Sequence, residues 1–313
     1  MTKGKSLRDR RCVVLGGGGF IGTHLSRRLA GKVGSLRAFG RSENRPRALS
    51  GIEWLGGDFN DPRSIRGALE GCDVVFHLIN ASTPSSANLD KIGDLKSNVV
   101  STIQLLDACV AAGVQRVIFV SSGGTVYGVP QSLPTREDDA CWPITSYGIS
   151  KLAIERYLHL YEYIHGLEYR ILRVSNPFGP HQTAERDQGV IGAFLRRIIN
   201  EQPIELWGDG SVSRDYLYVD DVIDAFELAM LHEGRSRVFN IGSGVSRTLN
   251  EVIAALENVT GKKIDIVRKD GRLVDIPVSV LDISRARNEL GWIPKTEFDA
   301  GLRSTFQWLI ETQ

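Results

Sequence analysis

Residues 12–22 read Cys12-Val13-Val14-Leu15-Gly16-Gly17-Gly18-Gly19-Phe20-Ile21-Gly22. Four residues suited to a strand buried on both faces run into glycines, and the glycines run into an amphipathic stretch with helical spacing. A glycine turn between strand and helix lets backbone N–H groups approach a pyrophosphate, and the helix N-terminus adds partial positive charge there. Both GxGxxG (Gly17, Gly19, Gly22) and GxxGxxG (Gly16, Gly19, Gly22) fit the stretch. Glycines alone describe a flexible turn equally well. With strand, turn and helix in the demanded order, the reading is dinucleotide binding.

Outward from this unit, short apolar runs alternate with helical patterns. Candidate strands span 12–15, 35–39, 53–55, 73–78, 115–121 and 169–173, separated by amphipathic stretches at 20–30, 61–70, 98–112 and 146–165. Runs such as Val117-Ile118-Phe119-Val120 lack polar alternation, as strands covered on both faces do. Such a βαβ series implies an α/β fold built on a parallel, doubly wound sheet. The second half is less regular, with helical patterns at 190–200, 221–231, 249–260 and 298–312 and strand-like pieces at 204–206, 238–241 and 264–267. The expected division is a dinucleotide-binding domain over 1–175 and a smaller mixed α/β lobe over 176–313, with segments around 218–244 returning to the first.

The acidic residue that usually meets an adenosine ribose belongs about 20 residues beyond the glycines. Here the second strand ends Phe39-Gly40-Arg41-Ser42, with no carboxylate. Arg41 suits a 2′-phosphate and equally suits a solvated loop, so NAD and NADP both stay open. In Gly57-Asp58-Phe59, Asp58 is a candidate partner for the adenine amine, or simply a helix-start acid. His77 reads as a packed core histidine.

The chain has 313 residues, 42% hydrophobic and 24% charged, with a net charge of +1. That balance gives no broad field to attract nucleic acid or an anionic membrane. No stretch approaches ~18 apolar residues, so no membrane span is expected, and the basic opening lacks an apolar signal-peptide region. Four scattered cysteines without a CxxC pair read as reduced thiols, and six scattered histidines give no metal spacing. The expectation is a cytoplasmic protein without a metal.

Two further stretches carry chemistry: Ser121-Ser122-Gly123-Gly124-Thr125-Val126-Tyr127-Gly128 at the end of a strand, and Thr145-Ser146-Tyr147-Gly148-Ile149-Ser150-Lys151 at the start of a helix. Tyr147 and Lys151, four apart, share a helix face. For Tyr147 to act as a base near neutrality, its pKa of ~10 must fall by roughly 3 units, about 4 kcal/mol. A nearby ammonium and an oxidised nicotinamide act in that direction.

Taken together, GGGGFIG, GDFND, VFHL, SSGGTVYG, YGISK, RVSNPFGPHQ, WGDGSVSRDYLYVDD, FNIGSG and LDISRARNELGW resemble an extended short-chain dehydrogenase/reductase. The group is the NAD-dependent epimerases and dehydratases of nucleotide sugars, with UDP-glucose/UDP-galactose 4-epimerases nearest in appearance. The resemblance spans nearly the whole chain. It implies a Rossmann domain and a retained nicotinamide cofactor contacted by Gly16, Gly19, Phe20, Ile21, Gly22, Arg41, Asp58, Phe59, Leu78, Tyr147, Lys151 and Pro177. It also implies a UDP-linked sugar held by Ser122 and Thr125 at the strand end and by Asn176, Val190, Trp207, Arg214 and Arg272 in the smaller lobe.

The catalytic set it implies is Tyr147 and Lys151. A serine or threonine normally stands at the third position of Ser121-Ser122-Gly123, and here Gly123 stands there. That places a missing hydroxyl at the sugar rim, with Thr125 as the expected replacement and Ser122 as a second candidate. Gly124 and Thr125 also occupy positions where family dehydratases carry acids, which disfavours elimination. The resemblance therefore implies 4-epimerisation through transient oxidation at C4 in a homodimer packed through helices near 90–112 and 146–165. The alternatives are an NADP-dependent reductase or dehydrogenase and a non-catalytic nucleotide sensor.

Overall fold

The computed structural model describes residues 6–182, 189–271 and 276–312. Its first half runs β1 (Arg11–Leu15), α1 (Phe20–Leu29), β2 (Ser35–Gly40), β3 (Glu53–Gly56), α2 (Pro62–Leu69), β4 (Val74–His77), α3 (Pro84–Leu89), α4 (Lys91–Asp94), α5 (Ser101–Ala111), β5 (Arg116–Ser122), α6 (Ser146–His165) and β6 (Glu168–Val174). There follow β7 (Asn176–Phe178), α7 (Val190–Ile199), β8 (Ile204–Trp207), β9 (Ser213–Tyr218), α8 (Val219–Leu231), β10 (Val238–Ile241), β11 (Ser246–Thr248), α9 (Leu249–Thr260), β12 (Ile266–Lys269), β13 (Val278–Ser279) and α10 (Phe298–Glu311).

Seven parallel strands form the main sheet in the order β10-β6-β5-β4-β1-β2-β3. Alternate residues of one strand feed opposite faces: Cys12 and Val14 join the core that includes Leu25 and Phe226, while Val13 and Leu15 join the one that includes Leu105 and Leu158. This is the double-sided burial that the unalternated apolar runs require. Successive crossovers leave β1 in opposite directions, toward β2 and toward β4. The crevice at the carboxyl ends of β1 and β4, where Leu15 registers with His77, is the topological switch point.

The second half builds a four-stranded sheet in which β11, β13 and β7 all pair with β9, and a two-stranded sheet of β8 with β12. β10 instead pairs with β6 in the main sheet. Helix ends follow local chemistry. Asp61 caps α2 by accepting from the Arg63 and Ser64 amides ahead of Pro62, Thr248 and Glu251 form a reciprocal capping box on α9, and α6 stops at Gly166 with φ 69°.

Two expectations shift. The strand expected at 264–267 forms as Ile266–Lys269, set by its register with β8. The helix expected from residue 98 begins at Lys91, and a π turn over Leu95–Val100 joins α4 to α5. The apolar stripe of α6 faces inward at Leu158 and Tyr161, whereas Ile149, Leu160, Tyr163 and Ile164 are exposed. Among the described residues no helix is long and apolar enough to cross a membrane, and no group of His, Cys, Asp and Glu is arranged to hold a metal.

Candidate active site

The glycine turn is shaped by contacts that leave no room for side chains. Gly16 has φ +86°, and its amide and that of Gly17 both donate to the Phe39 carbonyl. A Cβ at Gly22 would lie 2.1 Å from the Gly16 carbonyl oxygen, and one at Gly17 2.8 Å from the Ala38 Cβ. Gly22 thus seats α1 against the turn, and Gly17 seats the turn against β2. Gly19, the N-cap, offers no side chain to cap the first turn, so the helix presents its N-terminal N–H groups as a ready anion cradle. Phe20 and Ile21 open α1, and Leu78 pairs to Leu15 beside the turn. These features fit a dinucleotide pyrophosphate.

On the adenosine side, Asp58 is exposed, and its Oδ1 accepts from the Asn60 backbone and side-chain nitrogens at 2.9 and 3.0 Å. Arg41 follows β2 on the surface, with Nε 3.7 Å from Glu43 Oε1. Phe59 and Phe119 sandwich His77, each with ring centroids 5.3 Å away. The Thr102 hydroxyl donates to the Asn98 carbonyl, so it accepts from His77 Nε2 at 2.9 Å. Nδ1 is left without a partner, and burial pushes the imidazole down to about 3. His77 is thus a neutral packing residue.

Tyr147 sits in the first turn of α6, behind the cap in which Thr145 Oγ1 accepts from the Gly148 amide. Lys151, one turn on, is buried, donates from Nζ to the Val120 carbonyl at 3.0 Å and lies 5.7 Å from the Tyr147 ring centroid. The expected acidification of Tyr147 is not supplied by the protein alone. Burial, then the charge of Asp94, raise the phenol to about 12. Burial also lowers Lys151 to about 7 against the opposing pull of Glu155 and Asp94, so its positive charge is poised near neutrality instead of fixed.

The strand end needs a larger correction. Gly123 is buried, and a Cβ there would meet Leu281 Cδ1 at 2.5 Å and the Arg173 carbonyl oxygen at 3.0 Å. The glycine therefore makes room for Leu281, and position 123 does not form an open rim. Gly124 is the open one, with nothing within 4 Å of a Cβ. Thr125 Oγ1 is buried without a hydrogen-bond partner. An unsatisfied buried hydroxyl is costly unless a ligand completes it. Ser122 ends β5, and its carbonyl accepts from the Thr125 amide at 3.3 Å.

Beneath the strand end lies a polar network that the sequence reading missed. Glu155 accepts from Arg173 Nε and Nη2 at 3.1 and 2.7 Å and from Ser121 Oγ at 2.5 Å. Arg173 also donates to the Tyr127 hydroxyl at 2.9 Å, which in turn donates to Asn240 Oδ1 at 2.7 Å. This network locks β5, α6, β6 and β10 together below Lys151.

The small sheet carries a cavity of about 290 Å³ whose lining includes Asn176, Pro177, Val190, Trp207 and Arg214, five residues singled out from sequence. Asn176 donates to the Asp215 carbonyl at 3.1 Å, and Arg214 Nη1 donates to the Ser213 and Ile276 carbonyls at 2.9 and 2.5 Å. Phe178, Gly189, Ile191, Val212, Tyr216 and Leu249 complete the lining, and Val212, Tyr216 and Leu249 were not foreseen. The Tyr216 hydroxyl is buried without a partner, and burial raises it to about 12. Its position two after Arg214 on one strand was the available signal, since period-two neighbours share a sheet face. Arg247, across from Arg214 in the β11–β9 register, lies with its guanidinium 4.5 Å from the Phe298 ring centroid. Arg272 lies outside the described residues.

Residues 12–242 match the NAD dependent epimerase/dehydratase family. A UDP-glucose 4-epimerase of Mycolicibacterium smegmatis is 34% identical over 95% of this chain and 98% of its own length. A dTDP-4-dehydro-6-deoxyglucose reductase of Escherichia coli is 34% identical over 94% of this chain and 96% of its own. The crystal structure of a Thermotoga maritima UDP-glucose 4-epimerase with UDP-glucose superposes with a TM-score of 0.90 at 33% identity, covering 96% of this chain and 99% of that one. The glycine cradle at the switch point, the Tyr147–Lys151 face and these likenesses converge: the chain belongs to the NAD-dependent epimerase/dehydratase family, and its cofactor is NAD.

Proposed function

We propose that the protein is a UDP-hexose 4-epimerase, with UDP-N-acetylhexosamines as the variant substrate class. The observation that carries this reading is the cavity on the small sheet. Asn176, Val190, Trp207 and Arg214 come from four separate elements and line one space. Arg214 supplies a guanidinium for a diphosphate, and Trp207 a flat wall for a base.

Gly16, Gly19 and Gly22 seat the cofactor pyrophosphate, while Lys151 offers its remaining protons to ribose hydroxyls. When bound, NAD supplies the hydride acceptor for C4 of the sugar and, in its oxidised form, a positive charge. Tyr147 takes the proton from the C4 hydroxyl and returns it once the keto sugar has turned over. Thr125 Oγ1, buried and unpartnered, donates to that sugar oxygen, with Ser122 as the neighbouring hydroxyl. Open space at Gly124 leaves the sugar loosely held while Asn176, Arg214 and Arg272 grip the nucleotide. No carboxylate stands at 123–125, which disfavours elimination.

Sheet membership supports a domain division near 175 with β10 returned to the first domain. Exposed Leu89 (88%), Ile92 (70%) and Ile164 (59%) support a homodimer through α3–α6. The cysteines are free, which suits the cytoplasm.

The test is Tyr147→Phe. Interconversion of UDP-glucose and UDP-galactose, followed by NMR, should vanish while nucleotide binding persists, and retained turnover would refute the assignment. A second reading, a one-way sugar-nucleotide reductase, is favoured by the reductase relative; turnover that depends on added NADPH would establish it instead.

A further inference from the structure

We propose that Asp94 anchors the helical turn that carries Tyr147 and adds its negative charge to the field on Tyr147 and Lys151. The inference rests on the reading of Tyr147 and Lys151 given above. Asp94 is 3% exposed at the junction of α4 and the π turn. Its Oδ1 accepts from Ser82 Oγ and from Asn98 Nδ2 at 2.9 Å. Its Oδ2 accepts from Ser150 Oγ at 2.6 Å and Ser146 Oγ at 3.2 Å. Ser146 and Ser150 flank Tyr147 in the first turn of α6, so the carboxylate clamps that turn.

All four donors are neutral. Among the described residues, no arginine, lysine or histidine forms an ion pair with Asp94. A buried carboxylate held only by neutral donors keeps its field uncompensated at short range. Two anions face Lys151, Glu155 from its own helix and Asp94 from the π turn. Glu155 contributes the larger pull. It is also bound through both oxygens to Arg173, so that pair is neutral as a unit. Asp94 adds to that pull and, unlike Glu155, has no cationic partner among the described residues. The other titratable groups near Lys151 are Tyr147 on α6 and His77 on β4, and His77 is neutral. The same field opposes ionisation of Tyr147, so Asp94 sets both groups in one direction.

Asp94→Asn keeps the size and an acceptor oxygen while removing the charge. Lys151 then loses its proton at lower pH, and Tyr147 also ionises at lower pH. Both limbs of the activity profile move toward acid, and the bell translates by about one pH unit, a tenfold change in each proton affinity. A purely structural role would lower the bell without moving it. Lys151 is read directly by carbon-13 NMR of labelled lysine in the purified holoenzyme, where its midpoint falls by the same amount. If Asp94→Asn loses its helical signal, Asp94→Ser, which leaves a hydroxyl for Ser150, carries the same expectation. A stationary bell with an unmoved Lys151 midpoint in the folded variant overturns the proposal. Turnover by Tyr147→Phe would overturn the reading of the site without touching the lysine titration, so the two failures are separable.

Discussion

Glu155→Gln tests the buried ion pair that underlies the active site. Both side chains are nearly sealed, 3% exposed for Glu155 and 4% for Arg173. The variant removes the anion facing two charge-assisted hydrogen bonds of 3.1 and 2.7 Å and leaves Arg173 with the Tyr127 hydroxyl and the Glu137 carbonyl. Removing one partner of such a pair leaves an uncompensated charge, at a cost of about 3–5 kcal/mol. A chain of this length unfolds with an entropy near 0.7 kcal/mol/K, from ~2.1 cal/mol/K per residue. At the lower figure the midpoint falls by about 4–5 °C, measurable by scanning calorimetry or dye-monitored melting. Glu155→Met with Arg173→Met replaces the pair by apolar side chains and recovers most of the loss. A single variant melting within a degree of the parent, or a double variant worse than the single, would refute the reasoning.

Three further outcomes follow from named contacts. Gly123→Ser forces its Cβ into Leu281 and the Arg173 carbonyl, so it should cost about 1–3 kcal/mol. Chemical denaturation measures this, and Leu281→Ala should relieve part of it. His77 is held neutral, its pKa depressed from 6.5 to about 3. Its contribution is therefore full above pH 6.5 and lost as pH falls toward 3, at full expression roughly 4–5 kcal/mol. His77→Phe, which keeps a ring between Phe59 and Phe119, should flatten that part of the stability–pH curve, and an unchanged slope would contradict the neutral-histidine reading. Arg214→Met should weaken UDP binding by about 2 kcal/mol, roughly thirtyfold, in calorimetric titration, while an unchanged affinity would remove Arg214 from the diphosphate grip.

The fold was legible because its signals are local. Strand-glycine-helix at 12–22, apolar runs without alternation and the amphipathic stretches between them each read from a few neighbours, and together they imply the parallel sheet. The cavity residues were legible for a different reason, since Asn176, Trp207 and Arg214 sit in long motifs. Position 123 misled because a strand's facing depends on what packs against it. Leu281, far along the chain, takes the space that the motif assigns to a hydroxyl. The Glu155–Arg173 pair and the contacts of Asp94 with Ser146 and Ser150 left no local trace either, as those partners are 18 and more residues away.

The direction in which the protein alone shifts Tyr147 was not legible in the helical spacing. Helical spacing puts a lysine beside the phenol, and a cation in water would acidify it. At this face desolvation penalises both charged forms, so the phenol rises to about 12 and the ammonium falls to about 7. Proximity thus brings reach without acidity. The acidity depends on how many anions and cations share the enclosure, and Asp94 shifts that balance toward a protonated lysine. A phenol this reluctant ionises only when further positive charge enters the site. Tyr147 should accordingly titrate at lower pH in the NAD⁺-loaded enzyme than in protein stripped of the dinucleotide, a difference readable by ultraviolet difference spectroscopy of the phenolate against a Tyr147→Phe blank. Equal midpoints in the two forms would mean that the enclosure, and not the oxidised ring, governs the base.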